Sequence, residues 1–165
     1  EPETGRIDGG LGVLLRRISA LNYEAVPAIE SGIMMPFDSR GVMLLDAPMA
    51  DLEDPHSSDA WLVFAKNNDL YGGVSHPVRD LQRMVVRLAG PIGNPNGIGA
   101  KVTLSREGGD SIVRELLAGD GYLTQSSPVL WFPRVAAGTL HVQWPDGDVT
   151  EHPLSGAKFR ITLSR

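Results

Sequence analysis

The sequence predicts a mainly β protein, with an antiparallel β-sandwich or barrel in its carboxyl-terminal part, further strands ahead of it and one short helix near the amino terminus. Three observations predict this class. Glycine and proline number 19 and 12 in 165 residues without a collagen-like period, so the chain must turn often. From Val26 onward the apolar residues come in short runs bounded by turn residues. Two turns, "EGGD" after Arg106 and "PDGD" after Trp144, have hairpin chemistry and join alternating segments.

The elements follow in order. "GGLGVLLRRISALNY", Gly9 to Tyr23, places Leu11, Leu14, Leu15, Ile18 and Leu21 near helical spacing and predicts the amphipathic helix. "RGVMLLD" (Arg40 to Asp46), "AWLVFAKNND" (Ala60 to Asp69) and "RMVVRLAG" (Arg83 to Gly90) read as strands. The intervening "APMADLEDPHSSD" and "LYGGVSHPVRD" read as exposed loops, because each carries proline and polar or glycine pairs. "AKVTLSR" and "SIVRELLAG" form a hairpin, "TLHVQW" and "VTEHPL" a second one, and "KFRITLS" is the last strand. Period-2 alternation turns Val102, Leu104, Val113, Leu117, Leu130, Val142, Trp144, Phe159 and Ile161 inward.

Composition removes several function classes. With 15 basic against 20 acidic residues and no basic run beyond Arg16 and Arg17, the chain has no phosphate-tracking surface, so no nucleic acid partner is expected. The chain has no cysteine, which excludes disulfides, thiolate metal sites and cysteine nucleophiles. No apolar run is long enough for a membrane span. The first residues, "EPETGRIDGG", have neither an initiator methionine nor a signal pattern and read as a processed form or a piece of something longer.

Three stretches are candidates for chemistry. "GIGAKV" opens like a dinucleotide fingerprint, but its third glycine is missing and an alternating strand follows in place of the phosphate-binding helix. Its glycines therefore read as close strand approach or positive φ. Ser126 and Ser127 in "TQSSP" lack a nucleophile elbow, and none of the four histidines, His56, His76, His141 and His152, makes a helical zinc pair. "GYLTQSS" reads as an ordered turn in which Tyr122 packs and Gln125 and the serine hydroxyls bond neighbouring backbone. The third stretch gathers Asp46, Asp51, Glu53, Asp54 and Asp59, the hard oxygen ligands that Ca²⁺ selects. No "DxDxDG" turn is present, with Pro48 and Ala50 where further ligands belong, so a solvated acidic loop and a bound cation both stand as readings.

"NPNGIGAKVTL", "RELLAGDGYLTQSSPVLWF" and "VQWPDG", in this order and spacing, resemble the ASPIC and UnbV domain family over about Val85 to Leu163. The resemblance implies a β domain at residues 83–165 behind a segment, 1–82, that is similar to FG-GAP or VCBS repeats, whose blades form β-propellers. On that kinship "SGIMMPFDSRGVMLLD" and "WLVFAKNND" look like last blade strands, with Asp46 and Asp54 at the first and last positions of a calcium loop. Since a blade takes about 40 to 50 residues and a ring needs at least four, only one or two blades fit, and they need missing upstream blades or self-association. The implied function is a non-catalytic binding or adhesion module, extracellular or in the cell envelope, with a protein or carbohydrate ligand. The alternative is part of a biosynthetic or hydrolytic enzyme using Ser126, His141 and Asp146.

Overall fold

The computed structural model describes residues 13–33, 39–48, 58–66, 72–76, 83–106, 108–156, 158 and 160–165. The first of these form a hairpin, not the expected helix: β1 (Leu14–Arg17) pairs antiparallel with β2 (Tyr23–Val26). The tip closes as the amides of Ile18 and Ser19 both donate to the carbonyl of Asn22. Register sets Arg16 opposite Glu24, and the two side chains form an ion pair across the strands. Leucines at near-helical spacing misled here, because leucine fits a strand too and the flanking glycines weaken a helix. The short helix lies further on, as α1 (Ala28–Ser31), started after Pro27 and ended at Gly32 with φ of 69°.

A second sheet has the order β3-β4-β5, made of β3 (Ser39–Pro48), β4 (Ser58–Lys66) and β5 (Gly72–His76). β5 corrects the reading of "LYGGVSHPVRD" as wholly loop. Register sets its glycine pair opposite Val63 and Phe64 of β4. Among the described residues β5 pairs on one side only, where a glycine-rich strand is tolerated.

The remaining strands build two sheets. β6 (Arg83–Ala89), β7 (Lys101–Ser105), β8 (Ile112–Glu115), β9 (Val129–Pro133), β10 (Ala137–Gln143), β11 (Val149–Ser155) and β12 (Arg160–Ser164) assemble in the orders β11-β10-β7-β8 and β12-β6-β9. Neither closes into a barrel. Met84, Val86 and Leu88 of β6, Leu130 and Phe132 of β9 and Leu163 of β12 join Val102, Leu104, Leu140, Val142 and Leu154 of the other sheet in one buried cluster, which makes this part a sandwich. Pairing is antiparallel except between β12 and β6, which run parallel.

Of the residues expected inward, Val102, Leu104, Leu130, Val142 and Trp144 are buried, Ile161 packs partly on the core and Phe159 lies outside the described residues. Val113 and Leu117 are exposed instead. The cause is parity: β8 contains the apolar pairs Ile112–Val113 and, just beyond it, Leu116–Leu117, so alternation fits either face. The ladder sets Ile112 opposite the buried Leu104 and leaves Val113 opposite Thr103, and Leu116 becomes the core residue. The "GIG" motif takes positive φ at Gly97 (67°) and Gly99 (85°) just before β7. At Gly97 a Cβ would lie 2.9 Å from Leu88 Cδ1, so this glycine also lets the chain pass close over the core.

Candidate functional site

β6 has buried residues on both faces, although Arg87 on the outer one is exposed. Met84, Val86 and Leu88 enter the sandwich core, yet Val85, on the opposite face, is also 1% exposed. That outer face carries Val85 and Arg87, their β9 partners Trp131 and Val129, and, across the parallel pairing, Arg160 opposite Val85. A cleft of ≈ 150 Å³ lies beside it, lined among others by Val129, Trp131, Ser126, Ser127 and Leu44 of β3. The β3 sheet therefore meets the sandwich at this face.

The loop before β9 grips the edge of β3 not used by β4. Thr124 Oγ1 donates to the carbonyl of Val42 (2.9 Å), the amide of Leu44 donates to Ser126 Oγ (3.1 Å) and the amide of Asp46 donates to Ser127 Oγ (2.9 Å). The backbone amide of Ser127 completes the set on the carbonyl of Leu44 (2.8 Å). Three alternate residues of one strand thus have edge groups satisfied by a Thr-Gln-Ser-Ser segment more than 80 positions away. Leaving a buried amide unpaired costs roughly 1–3 kcal/mol, so these bonds hold the strand in one register.

The strand also presents a charge. The Asp46 side chain is fully buried, and Arg160 meets it bidentately, Nη1 to Oδ2 at 2.6 Å and Nη2 to Oδ1 at 2.9 Å, with Arg87 Nη2 on Oδ2 at 3.3 Å. The hydrogen bonds from Arg160 to this carboxylate raise the guanidinium pKa above its ordinary value, so the cation stays charged despite partial burial. Planar two-point pairing is a geometry lysine does not offer.

Two glycines make the approach possible. A Cβ on Gly41 of β3 would stand 2.9 Å from the Tyr122 carbonyl and 2.7 Å from Thr124 Cγ2, and one on Gly121 would strike Thr124 Oγ1 at 2.1 Å. Within the loop, Asp120 Oδ1 accepts the Ser126 amide at 2.9 Å, a backbone bond that holds its carboxyl below the usual range. Gln125 accepts from the Gly119 amide and donates to the carbonyls of Leu117 and Ser126. The backbone roles expected of Gln125 and the serines are present. The packing expected of Tyr122 is not: Tyr122 and Leu123 are exposed, and Leu123 sits at φ of 53°, because residues 120 and 124 are both tied down and the turn between them throws these side chains outward.

The residues expected from sequence are placed as follows. Asp46 is the strand carboxylate just described. Asp59 lies on β4 opposite Ala47, while Asp51, Glu53 and Asp54 lie outside the described residues. Ser126 is engaged with β3, and among the described residues no histidine lines the cleft beside it. His141 instead faces Glu151 across the β10–β11 pair, and Asp146 pairs with Arg165. Sequence reasoning missed Arg87 and Arg160. Their signal was an arginine inside each of two apolar runs, "RMVVRLA" and "FRITL", at positions where a one-faced strand would be read as pointing to solvent.

Fold and site together define a β-sandwich whose loop and two strand arginines hold the edge of an adjoining sheet. Residues 90–165 match the model of the family described as ASPIC and UnbV, which supports an ASPIC and UnbV domain in this part of the chain. No curated protein matches the chain. Among the described residues no helix is long and apolar enough to cross a membrane.

Proposed function

We propose that the chain is a non-catalytic binding module, working outside the cell or in its envelope, in which the ASPIC and UnbV domain locks onto the last strands of a repeat array of the FG-GAP or VCBS kind. The observation that carries this reading is that Thr124, Ser126 and Ser127 all direct their hydroxyls to the backbone of β3. A serine nucleophile needs a base within hydrogen-bond reach, whereas Ser126 Oγ accepts from Leu44. The Thr-Gln-Ser-Ser segment is thus devoted to holding a strand edge, a task a terminal module performs for an open-edged sheet. A protein or carbohydrate ligand would then be met by surface the two parts form jointly.

The test compares the full chain with Ser126→Ala. Ester, amide and glycoside model substrates are expected to be turned over by neither, while residues 39–76 become faster to cleave in limited proteolysis of the variant. Turnover that Ser126→Ala abolishes, with proteolysis unchanged, would establish the enzyme reading instead.

A further inference from the structure

We propose that the clamp is a strand receptor able to take β3 from a second copy of this chain, so that two chains exchange their β3 sheets reciprocally. The proposal rests on the clamp reading and adds its partner. What the receptor recognises is visible, because β3 occupies it: an extended segment offering the backbone of three alternate residues, a glycine where the loop crosses, and a carboxylate placed for two guanidiniums. A second copy carries the same set.

The contacts described do not depend on how the strand is connected. They are side-chain bonds, one backbone bond from Ser127 and an ion pair from the sandwich to β3, while β3 pairs its ladder with β4 of its own sheet. If the sheet lifts away, the amides of Leu44 and Asp46, the carbonyls of Val42 and Leu44 and the Asp46 carboxylate all lose their partners, as do Arg87 and Arg160. Such an edge is driven to re-pair with whichever receptor is nearer. Six residues separate the end of β5 at His76 from the start of β6 at Arg83, a reach of roughly 20 Å at full extension, which keeps the receptor of the same chain at an effective concentration of about millimolar. A second copy competes at comparable concentrations, or when neighbouring copies are held together on a surface. Reciprocal exchange closes as a twofold dimer with both edges satisfied, so it stops at two chains.

The experiment uses full chains with the charge pair reversed on one side at a time. Asp46→Arg and Arg160→Asp each disable the clamp within their own chain, but in an equimolar mixture each β3 meets a complementary receptor on the other chain. Expected are exposed β3 amides in each variant alone, and in the mixture a heterodimer by native mass spectrometry with the β3 amides protected again. Exposed single variants that form no heterodimer overturn the exchange and leave the clamp standing. Single variants whose β3 amides stay protected overturn the clamp itself, and the exchange with it. If either reversal unfolds the sandwich, judged by exchange at Val102 and Leu140, heavy and light isotopic forms of the parent chain are mixed at millimolar concentration and then diluted. Mixed dimers support the exchange, and monomers alone overturn it.

Discussion

The two faces of β6 both meet other parts of the chain, and they do so by different physics. The inner face, Met84, Val86 and Leu88, packs on side chains from the opposing sheet, where burial is non-directional and each apolar residue is stabilised by area removed from water. Around the outer face, beside the buried Val85 and Val129, the contacts are polar, with the buried Asp46 carboxylate, the partly exposed Arg87 and Arg160 and the three hydroxyls of the loop fixed by donor and acceptor geometry. The inner face fixes that the domain folds. The outer one fixes what it holds and in which register, because a slip of one residue along β3 would turn Val42, Leu44 and Asp46 away from their partners. A single domain thus keeps its stability and its recognition on opposite sides of one three-stranded sheet.

The largest change that separates the two faces is Leu140→Ala. Leu140 is fully buried in the inner cluster, and truncation there is expected to cost about 2–5 kcal/mol and to lower the cooperative melting of the whole sandwich, read by thermal denaturation. Asp46→Ala comes next. It leaves two guanidiniums facing a vacated acceptor, but both keep solvent contact, so the expected cost is roughly 2–4 kcal/mol, at or below the range for a fully buried pair. Its signature is different: proteolysis or exchange at residues 39–76 accelerates while the sandwich amides keep their protection. Equal acceleration in both parts would merge the two regions into one cooperative unit.

Acidification gives a smaller effect. The Asp120 carboxyl is held below its ordinary value of 3.8 by the Ser126 amide, so the folded loop binds protons less readily than the unfolded chain. Its contribution is complete above that ordinary value and is lost as pH falls through the lower folded one. Asp120→Asn is expected to flatten the loss of β3 protection across that acidic window, followed by hydrogen exchange against pH. The smallest expected effect concerns calcium. With both carboxylate oxygens of Asp46 taken by arginines, chelator and millimolar Ca²⁺ should leave the Tm where it is. A Ca²⁺-dependent rise lost in both Asp46→Ala and Asp54→Ala would place the ion at the acidic loop and require Asp46 to leave its pair.

Much of the sandwich was legible in the sequence because its signals are local. The turns at "EGGD" and "PDGD", the alternation of Val102 and Leu104 and the apolar run at Leu140 to Trp144 each specify structure within a few residues. Legibility failed where the local signal is degenerate, as in the doubled apolar pairs of β8, or where glycine obscured a strand, as in β5. At the site, the roles of Gln125 and the serines followed from short polar side chains in a turn. Their distant partner did not, since nothing in "TQSSP" names Val42, Leu44 or Asp46. Asp46 stood out as a carboxylate, but its chemistry depends on two arginines 41 and 114 positions away, brought together by strand pairing that charge patterning along the chain does not reveal.

The central claim is that the loop hydroxyls hold the β3 edge, and amide hydrogen exchange at Leu44 and Asp46 tests it most directly. In the parent chain both amides are expected to be protected. In Ser126→Ala, Ser127→Ala they should exchange about ten- to a hundredfold faster, the equivalent of roughly 1–3 kcal/mol, with Val102 and Leu140 unchanged. Unaltered protection of Leu44 and Asp46 in the double variant would contradict the account.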